Sequence, residues 1–409
     1  MTRHVTDSGM RSPDVRASNG ARVLFLCSPR TPGADTAVHL LLLRSLGARR
    51  IPIHVAVPLA SATEPSVTYD RIRDMEGVTV RPTDFGPSLF GRSTRQKLGS
   101  MFELVPAVAS LLGLAAYIRR HRIQILHSTD RPRDAVTCAA LASLTGAKSV
   151  IHVHVKYDDW MSAGVRWALG RADALIGVSL FVADSLVSGG FEPRRVFPVL
   201  NAIEPEKWDF EQPRAPGRAT LGLALETPLI VSVARLFAWK GHAELIRAVA
   251  IVKETCPDVR LAIVGGDYPE GSGVSAGLAA LARELGVADN VLLTGHRTDI
   301  ASLLAASDVF ALASFEEPFG LVFAEAMAMK RPVVALATGG TPEVVEHGKS
   351  GLLSPPGDVQ ALAANLRQLL LDPSLRARFG EYGRQRVEAR FTPARLAGDI
   401  EDIYATLLR

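Results

Sequence analysis

Two glutamates, Glu317 and Glu325, lie eight positions apart in the segment SFEEPFGLVFAEAMAMKRPVVALATGG, which covers residues 314–340. Paired carboxylates can act as a general acid and base, so the spacing raises the question of a catalytic pair. The segment is typical of a buried strand, a turn at EEPFG and a helix from about Leu321. The axial offset between the two glutamates is then up to roughly 12 Å, whereas glycosidase pairs lie roughly 5–9.5 Å apart. The spacing favours one extended ligand held at two places.

Two cations and a helix start suit the phosphates of such a ligand. The helix after EEPFG would present free N–H groups and a positive dipole end near Gly320 and Leu321. In VSVARLFAWKGH a strand ends at Arg235, and a loop brings Lys240 to the start of a helix at Gly241. Arginine offers a planar fork of donors and lysine a mobile point charge. The segment therefore predicts a diphosphate site.

Glycines at two further strand ends could also lie beside a ligand. Gly33 in TPGADTAVH precedes a helix, where the missing side chain would let the backbone approach a phosphate or an acceptor. Gly339 and Gly340 hold the same position in ALATGGTPEVVEHG. An ordinary turn between strand and helix remains the alternative at both places.

The segment SVIHVHVKYDDW leaves a metal site open. His152 and His154 lie on the same side of a predicted strand, and Asp158 and Asp159 follow. The alternative is one ligand-contacting histidine beside a core histidine. His127, at the end of another predicted strand, receives no assigned role.

At this point the motifs resemble a known family. E-P-F-G-x4-E, followed by AMA-x3-P-V-V-A and GG-x2-E, resembles the E-x7-E signature of retaining GT-B glycosyltransferases of the family 4 (group 1) type. The resemblance is strong over 230–360 and loose over 20–205. It implies that Glu317 contacts hydroxyls of the transferred sugar and that Glu325 contacts the ribose.

The resemblance assigns the remaining site residues as well. Arg235 and Lys240 match the family's R-x4-K-G element and would neutralise the departing diphosphate. His154 would lie near the transferred sugar, with His152 as a core histidine, and the backbone of Gly339 and Gly340 would contact the donor. The family usually carries two glycines where this chain has Pro32-Gly33, so the contact of Gly33 stays open. Independently of the resemblance, Glu316 is predicted to be a helix cap or a solvated acid, and Glu343 a helix N-terminal acid.

The elements that must position these residues form two α/β domains. Short apolar runs alternate with amphipathic helical patterns, which is typical of parallel sheets. We predict a GT-B fold, two doubly wound Rossmann-like domains facing a central cleft, because ligands bind at the carboxyl ends of parallel strands. The predicted parts are a mobile tail (1–20), an acceptor-binding domain (21–204), a linker (205–227), a donor-binding domain (228–388) and a C-terminal helix returning to the first domain (389–409).

Composition restricts the classes of binding partner and the cellular compartment. Lysine and arginine outnumber acids by 25 to 16 over residues 1–200, whereas the second half has 21 against 26. A basic half can attract an anionic acceptor or an anionic membrane, and no RNP, zinc-finger or helix-turn-helix signature supports nucleic acid. Three scattered cysteines and the lack of a signal-peptide run favour a reducing cytoplasm.

A membrane surface is one interpretation of a basic segment in the first half. Its residues could dock on the inner face of the cell membrane, as a lipid-linked acceptor would require, or form a solvated face beside a buried helix. The segment contains Arg71, Arg73, Arg81, Arg92, Arg95 and Lys97.

The resemblance implies retaining transfer from a UDP- or GDP-sugar to an acceptor hydroxyl in glycolipid, polysaccharide or glycoside biosynthesis. The sequence contains no D-x-D motif, so we expect neither a metal nor a cofactor, and the nucleotide sugar would be the co-substrate. A UDP-sugar 2-epimerase on the same fold and a non-catalytic sugar-nucleotide-binding protein remain alternatives. The sequence does not indicate the acceptor or the oligomeric state.

Overall fold

The computed structural model describes residues 20–60, 64–87 and 101–409, with side chains from residue 105 in the third range. Most of the predicted N-terminal tail lies outside these residues, as do Arg92, Arg95 and Lys97. The predicted α/β class with two parallel sheets is confirmed.

The first sheet has seven parallel strands in the order β3-β2-β1-β4-β5-β6-β7. Its valine-, isoleucine- and leucine-rich strands are mostly buried, because helices cover both faces. The strands are β1 (Val23–Leu26), β2 (Ile53–Val57), β3 (Val78–Pro82), β4 (Ile125–Thr129), β5 (Lys148–Val153), β6 (Ala174–Gly177) and β7 (Val196–Pro198). The helices between them are α1 (Ala34–Ala48), α2 (Val67–Ile72), α3 (Met101–Arg120), α4 (Pro132–Thr145), α5 (Ala163–Arg171) and α6 (Leu180–Ser188).

The second sheet has six parallel strands in the order β10-β9-β8-β11-β12-β13. Its strands are β8 (Leu229–Val233), β9 (Arg260–Val264), β10 (Val291–Gly295), β11 (Val309–Leu312), β12 (Val333–Leu336) and β13 (Gly351–Ser354). The helices are α7 (Arg214–Thr220), α8 (His242–Val252), α9 (Val274–Glu284), α10 (Ile300–Ala306), α11 (Leu321–Ala328), α12 (Thr341–Val344), α13 (Val359–Leu371), α14 (Pro373–Arg390) and α15 (Pro393–Leu407).

Strand order fixes where ligands can bind. In each sheet the chain winds outward from its first strand in one direction and then in the other, so β1 lies next to β4 and β8 next to β11. The loops after these strands diverge and leave a crevice at the carboxyl edge. Gly33 follows β1, Arg235 follows β8 and Glu317 follows β11, so three predicted site residues lie at these two crevices.

The predicted linker contains a helix that belongs to the second sheet's packing. The Arg218 side chain in α7 is buried, donates to the carbonyl of Ala306 at 3.1 Å and pairs with Asp308 at 3.0 Å. A side chain at Gly217 would lie 2.3 Å from the carbonyl oxygen of Ser302 in α10, so the two helices approach closely there. Helix α7 is therefore held in place by its contacts with α10 and Asp308, and not by an amphipathic pattern in its own sequence.

The last helix packs on the first sheet. Leu396, Ile400 and Tyr404 of α15 are buried in the same core as β1 and α1, and Arg395 donates to the carbonyls of Leu200 and Asn201. The chain thus crosses from the second sheet to brace the first.

Helix α3 exposes an apolar stripe. Val105, Val108 and Leu112 are 70%, 54% and 60% exposed, whereas Leu114 and Ile118 are buried. Across the residues that the structure describes, no helix combines the length and the apolarity needed to span a bilayer.

Candidate active site

Glu317 and Lys240 form an ion pair at the carboxyl edge of the second sheet. The Lys240 Nζ atom lies 2.6 Å from Glu317 Oε2, and both side chains are largely buried. The Ser314 hydroxyl donates to the same oxygen at 2.7 Å. Within the described chain Oε1 of Glu317 accepts no hydrogen bond, so one carboxylate oxygen is held while the other can accept from a ligand hydroxyl.

The loop that carries Lys240 depends on a glycine. Gly241 adopts a φ of 70°, and a side chain there would lie 1.9 Å from the carbonyl oxygen of Ala313 at the end of β11. Only glycine tolerates both that backbone angle and that approach. The close contact is what brings Lys240 to Glu317, whose loop follows β11.

Arg235 lies on the same edge and is exposed. Its guanidinium lies 4.6 Å from the ring centre of Tyr268 and 5.0 Å from that of Phe237. Stacking on two rings orients a cation without neutralising it. Because none of the described carboxylates pairs with it, Arg235 keeps its charge for an anionic ligand.

Helix α11 begins at Leu321 with an open N-terminus. Gly320 is its N-cap with a φ of 82° and provides no side-chain acceptor. The N–H groups of Leu321 and Val322 have no acceptor among the described residues. These donors and the helix dipole can hold a phosphate or a polar sugar.

Glu325 lies in the second turn of α11, and its side-chain carboxyl group has no hydrogen-bond partner in the described chain. Although its side chain keeps some contact with solvent, burial raises the pKa of the carboxyl group to about 7. A carboxylate held without a partner favours any ligand that supplies hydroxyl donors.

We expect Glu325→Gln to raise the free energy of unfolding of the ligand-free protein by about 2–3 kcal/mol at pH 8. In the unfolded chain a glutamate has a pKa of about 4.3, whereas in the folded wild type the pKa of Glu325 is about 7. Between these two pH values the folded protein therefore holds a proton on Glu325 that the unfolded chain has lost. The wild type therefore loses stability as the pH rises through this window, whereas glutamine does not ionise. Thermal unfolding at pH 8 and pH 5 measures the difference, with exposed Glu254→Gln as the control. A difference between Glu325→Gln and wild type that is the same at both pH values would contradict the expectation.

Gly339 and Gly340 lie against the loop that carries Glu317. Gly339 has a φ of 62°, and a side chain there would lie 2.6 Å from the carbonyl oxygen of Glu317. The Gly340 N–H donates to that same carbonyl at 2.7 Å. The Gly340 N–H is thus already engaged, and the predicted donor contact of this pair stays a prediction.

His154 lies across the cleft, just after β5. Burial lowers the pKa of its imidazole to about 4, so the ring is neutral near pH 7. Its backbone N–H donates to Asp130, whose pKa burial raises to about 7. The aspartates that made a metal site conceivable in the sequence, Asp158 and Asp159, are not grouped with His154.

Gly33 is the N-cap of α1, and a cation fills the space that its missing side chain leaves. A side chain at Gly33 would lie 2.6 Å from Nη2 of Arg131, which pairs with Asp35. The Arg131 side chain is still 40% exposed. The Arg131 guanidinium, although paired with Asp35, therefore stays accessible at the carboxyl edge of the first sheet.

Two contacts join the domains across the cleft. Lys156, after β5, pairs with both carboxylate oxygens of Glu316 at 2.9 and 2.8 Å. The Glu343 carboxylate accepts from the backbone N–H groups of Leu180 and Phe181 at 2.7 and 2.9 Å. Glu316, predicted to be a cap or a solvated acid, instead pairs with a lysine of the other domain. Glu343 lies in the first turn of α12, as predicted for a helix N-terminal acid, and its carboxylate in addition caps helix α6 of the other domain.

Sequence reasoning missed Ser314, His39 and the aromatic pair under Arg235. Ser314 lies two residues before the start of the EEPFG signature, so its position could have suggested a role. His39 on α1 and the ring of Tyr268 reach their places only through the tertiary fold, whereas Phe237 lies two residues after Arg235 in the sequence and could have been noticed there.

Two family descriptions match successive parts of the chain. Residues 33–207 match Glycosyltransferase Family 4, and residues 215–386 match Glycosyl transferases group 1. The chain is 28% identical to N-acetyl-alpha-D-glucosaminyl L-malate synthase of Bacillus anthracis, over 81% of this chain and 88% of that protein. It is 34% identical to D-inositol 3-phosphate glycosyltransferase of Mycobacterium marinum, over 66% of this chain and 56% of that protein.

Solved structures share the architecture. The Anabaena protein HepE, crystallised with UDP, superposes with a TM-score of 0.77 at 22% identity, over 94% of this chain and all of that one. A glycosyltransferase of Rickettsia africae reaches a TM-score of 0.79 at 18% identity, over 96% and 99% of the two chains. With two sheets arranged in this way and both halves matched, the chain belongs to the family 4, group 1 glycosyltransferases with the GT-B fold.

Proposed function

We propose that this glycosyltransferase uses a nucleotide diphosphate sugar, in the first place a UDP-sugar, and transfers the sugar with retention and without a metal at the diphosphate. The observation that carries the proposal is the buried ion pair of Lys240 with Glu317, 2.6 Å apart beside the open N-terminus of α11. Arg235 extends from β8, the strand next to β11. The complexes of HepE with UDP and with UDP-glucose support the donor class.

Each part of the donor has a group suited to it. Lys240, Arg235 and the α11 N–H groups offer positive charge to the diphosphate as it departs. The unpartnered oxygen of Glu317 accepts from sugar hydroxyls, and Glu325 accepts from ribose hydroxyls. The bond from the anomeric carbon to the diphosphate breaks while the acceptor oxygen bonds on the same face, and the proton of the acceptor hydroxyl passes to the released diphosphate.

The acceptor in this proposal is a small hydroxyl compound that carries an anionic group. Two relatives have such molecules in their names, L-malate and inositol 3-phosphate. Arg131 at the acceptor-domain crevice is partly exposed beside Gly33, and the first half of the chain is basic. A panel of hydroxy acids and sugar phosphates, each incubated with donor, tests this class by the appearance of glycosylated product, and the anomeric configuration of that product tests retention.

Donor binding should depend on pH through Glu325. Its pKa of about 7 means that the carboxyl group is mostly protonated at pH 6, and a protonated group accepts ribose hydroxyls poorly. We expect the affinity for UDP-glucose to fall about tenfold from pH 8 to pH 6 in the wild type. Glu325→Gln should bind more weakly at pH 8 and show little change with pH. Calorimetric titration of both proteins measures the affinities, and an equally steep pH dependence in Glu325→Gln would refute the assignment.

A thermal-shift screen of UDP-, GDP-, ADP- and dTDP-sugars identifies the nucleotide, because a ligand that binds the folded state raises the unfolding temperature. No shift with any of the four would overturn the donor proposal. An epimer formed from UDP-sugar alone would favour the epimerase instead, and binding without hydrolysis or transfer would favour the non-catalytic alternative.

A further inference from the structure

Four histidines meet in the first domain behind the acceptor crevice. His39 is on α1, His127 on β4, His152 on β5 and His154 just beyond β5. Strand pairing of β4 with β5 places Thr129 opposite His152, and α1 packs over the same edge. Residues more than 110 positions apart in the chain thus come together.

The nitrogens of this cluster lack partners. His39 is 3% exposed and His152 is fully buried. Within the described chain, Nε2 of His39, both ring nitrogens of His152 and Nε2 of His154 are buried without a hydrogen bond. His127 is held on one side, because its Nδ1 is hydrogen-bonded to the Tyr404 hydroxyl at 2.6 Å, although its Nε2 is also buried without a bond. A buried polar atom without a partner costs about 1–3 kcal/mol, so the four nitrogens on His39, His152 and His154 call for an occupant.

The rings of His39, His152 and His154 have the spacing of a three-imidazole site. One ring nitrogen from each can be chosen so that all three lie within 4.8 Å of one another. The ring centres are 4.5 Å apart for His152 and His154, 5.4 Å for His39 and His152, and 5.7 Å for His39 and His154. Three imidazoles bound tetrahedrally at about 2.0–2.1 Å place their ring centres about 5 Å apart. Small side-chain rotations would bring the nitrogens to bonding distance.

The charge state of the cluster suits a cation. Burial lowers the pKa of His39 to about 3 and of His154 to about 4, and lowers that of His152 strongly, so all three rings are neutral and keep a lone pair. Two carboxyl groups lie nearby: Asp35, which pairs with Arg131, and Asp130, which accepts from the His154 backbone N–H. Because Asp35 already balances Arg131, Asp130 is the carboxyl group that can offset part of a divalent charge.

We propose that His39, His152 and His154 form a binding site for one divalent transition-metal ion of the zinc or cobalt type in the donor-free protein. Three nitrogen ligands select these ions over magnesium and calcium, which prefer oxygen. His154 is partly exposed, whereas His39 and His152 are buried. The site is distinct from the diphosphate residues of the second domain.

The test is titration of tag-free, chelator-treated protein with Co²⁺, whose visible absorption reports a nitrogen-ligated site, followed by displacement with Zn²⁺. We expect one ion per chain. His39→Gln and His152→Gln should each weaken Co²⁺ affinity more than about 100-fold, since loss of a ligand exceeds the 10–100-fold loss typical of outer partners. His121→Gln is the matched control, because His121 also lies beside a histidine, 5.5 Å from His54, outside the cluster.

Far-UV circular dichroism checks that the variants fold. His154→Gln, at the partly exposed position, provides a third variant if either buried substitution prevents folding. Absence of a one-to-one Co²⁺ complex overturns the proposal, as does wild-type affinity in the folded cluster variants or loss of binding in His121→Gln. None of these measurements uses donor or acceptor, so the result is independent of the proposed transfer reaction.

Discussion

Lys240→Ala should lower turnover with a UDP-sugar about 10²–10³-fold, the loss typical when one charge-stabilising donor is removed. The Lys240 ammonium group is largely buried and lies 2.6 Å from Glu317, beside the helix start where we place the departing diphosphate. Removing it takes positive charge away as the leaving group gains negative charge. Initial rates of UDP release, with donor and acceptor saturating, measure the change.

A matched lysine separates this effect from a general loss of charge. Lys253 follows α8, is partly exposed, and donates to the carbonyl of Gly286 at 2.8 Å. Lys253→Ala should keep wild-type turnover. Circular dichroism must show a folded Lys240→Ala protein, since the substitution leaves Glu317 without its cation. A folded Lys240→Ala variant with near-wild-type turnover would exclude the assigned role.

Glu317→Gln should also lower turnover about 10²-fold or more while leaving the binding of UDP itself nearly unchanged. Ser314 and Lys240 hold Oε2, so the amide can keep the shape of the side chain but not the charged acceptor offered to the sugar. UDP lacks the transferred sugar but keeps the ribose, so its affinity should depend on Glu325 instead. Turnover and UDP affinity, measured on Glu317→Gln and on Glu325→Gln, separate the two roles. Glu316→Gln is the neighbouring control. An equal loss of UDP affinity in Glu317→Gln and Glu325→Gln would be inconsistent with assigning Glu317 to the transferred sugar and Glu325 to the ribose.

The two largest effects should not add. Because Lys240 and Glu317 are in direct contact, a double variant with alanine at both positions should lose about as much turnover as the more impaired single variant. Additive losses would mean that the pair does not act as one unit.

Much of the fold could be predicted because its strands are buried on both faces. Apolar runs such as RVLFLC, which contains β1, and PLIVSVAR, which contains β8, mark their strands in the sequence alone. The short strand β7 carries a proline and escaped notice. Helix α7 contains Pro216 and Gly217, which argue against a helix, and contacts of Arg218 with Asp308 stabilise it. Such long-range contacts leave no local pattern.

In the candidate site, too, local features could be predicted from the sequence and long-range contacts could not. The spacing of Glu317 and Glu325 relative to one helix is a local property, and α11 begins between them at the predicted residue. The contact of Glu317 with Lys240 spans 77 positions and that of Lys156 with Glu316 spans 160. The roles assigned to Glu317, Glu325, Arg235 and Lys240 therefore stay predictions for the experiments above.

The Glu343 carboxylate completes helix α6 of the other domain by accepting two of its first N–H groups. Each domain therefore folds with a bonding requirement that the other fulfils. If the halves were expressed separately, the N–H groups of Leu180 and Phe181 and the Glu343 carboxylate would have only water as partners, although Ser179 would still accept from Val182 at the start of α6. We therefore expect each half alone to be less stable than it is in the intact chain.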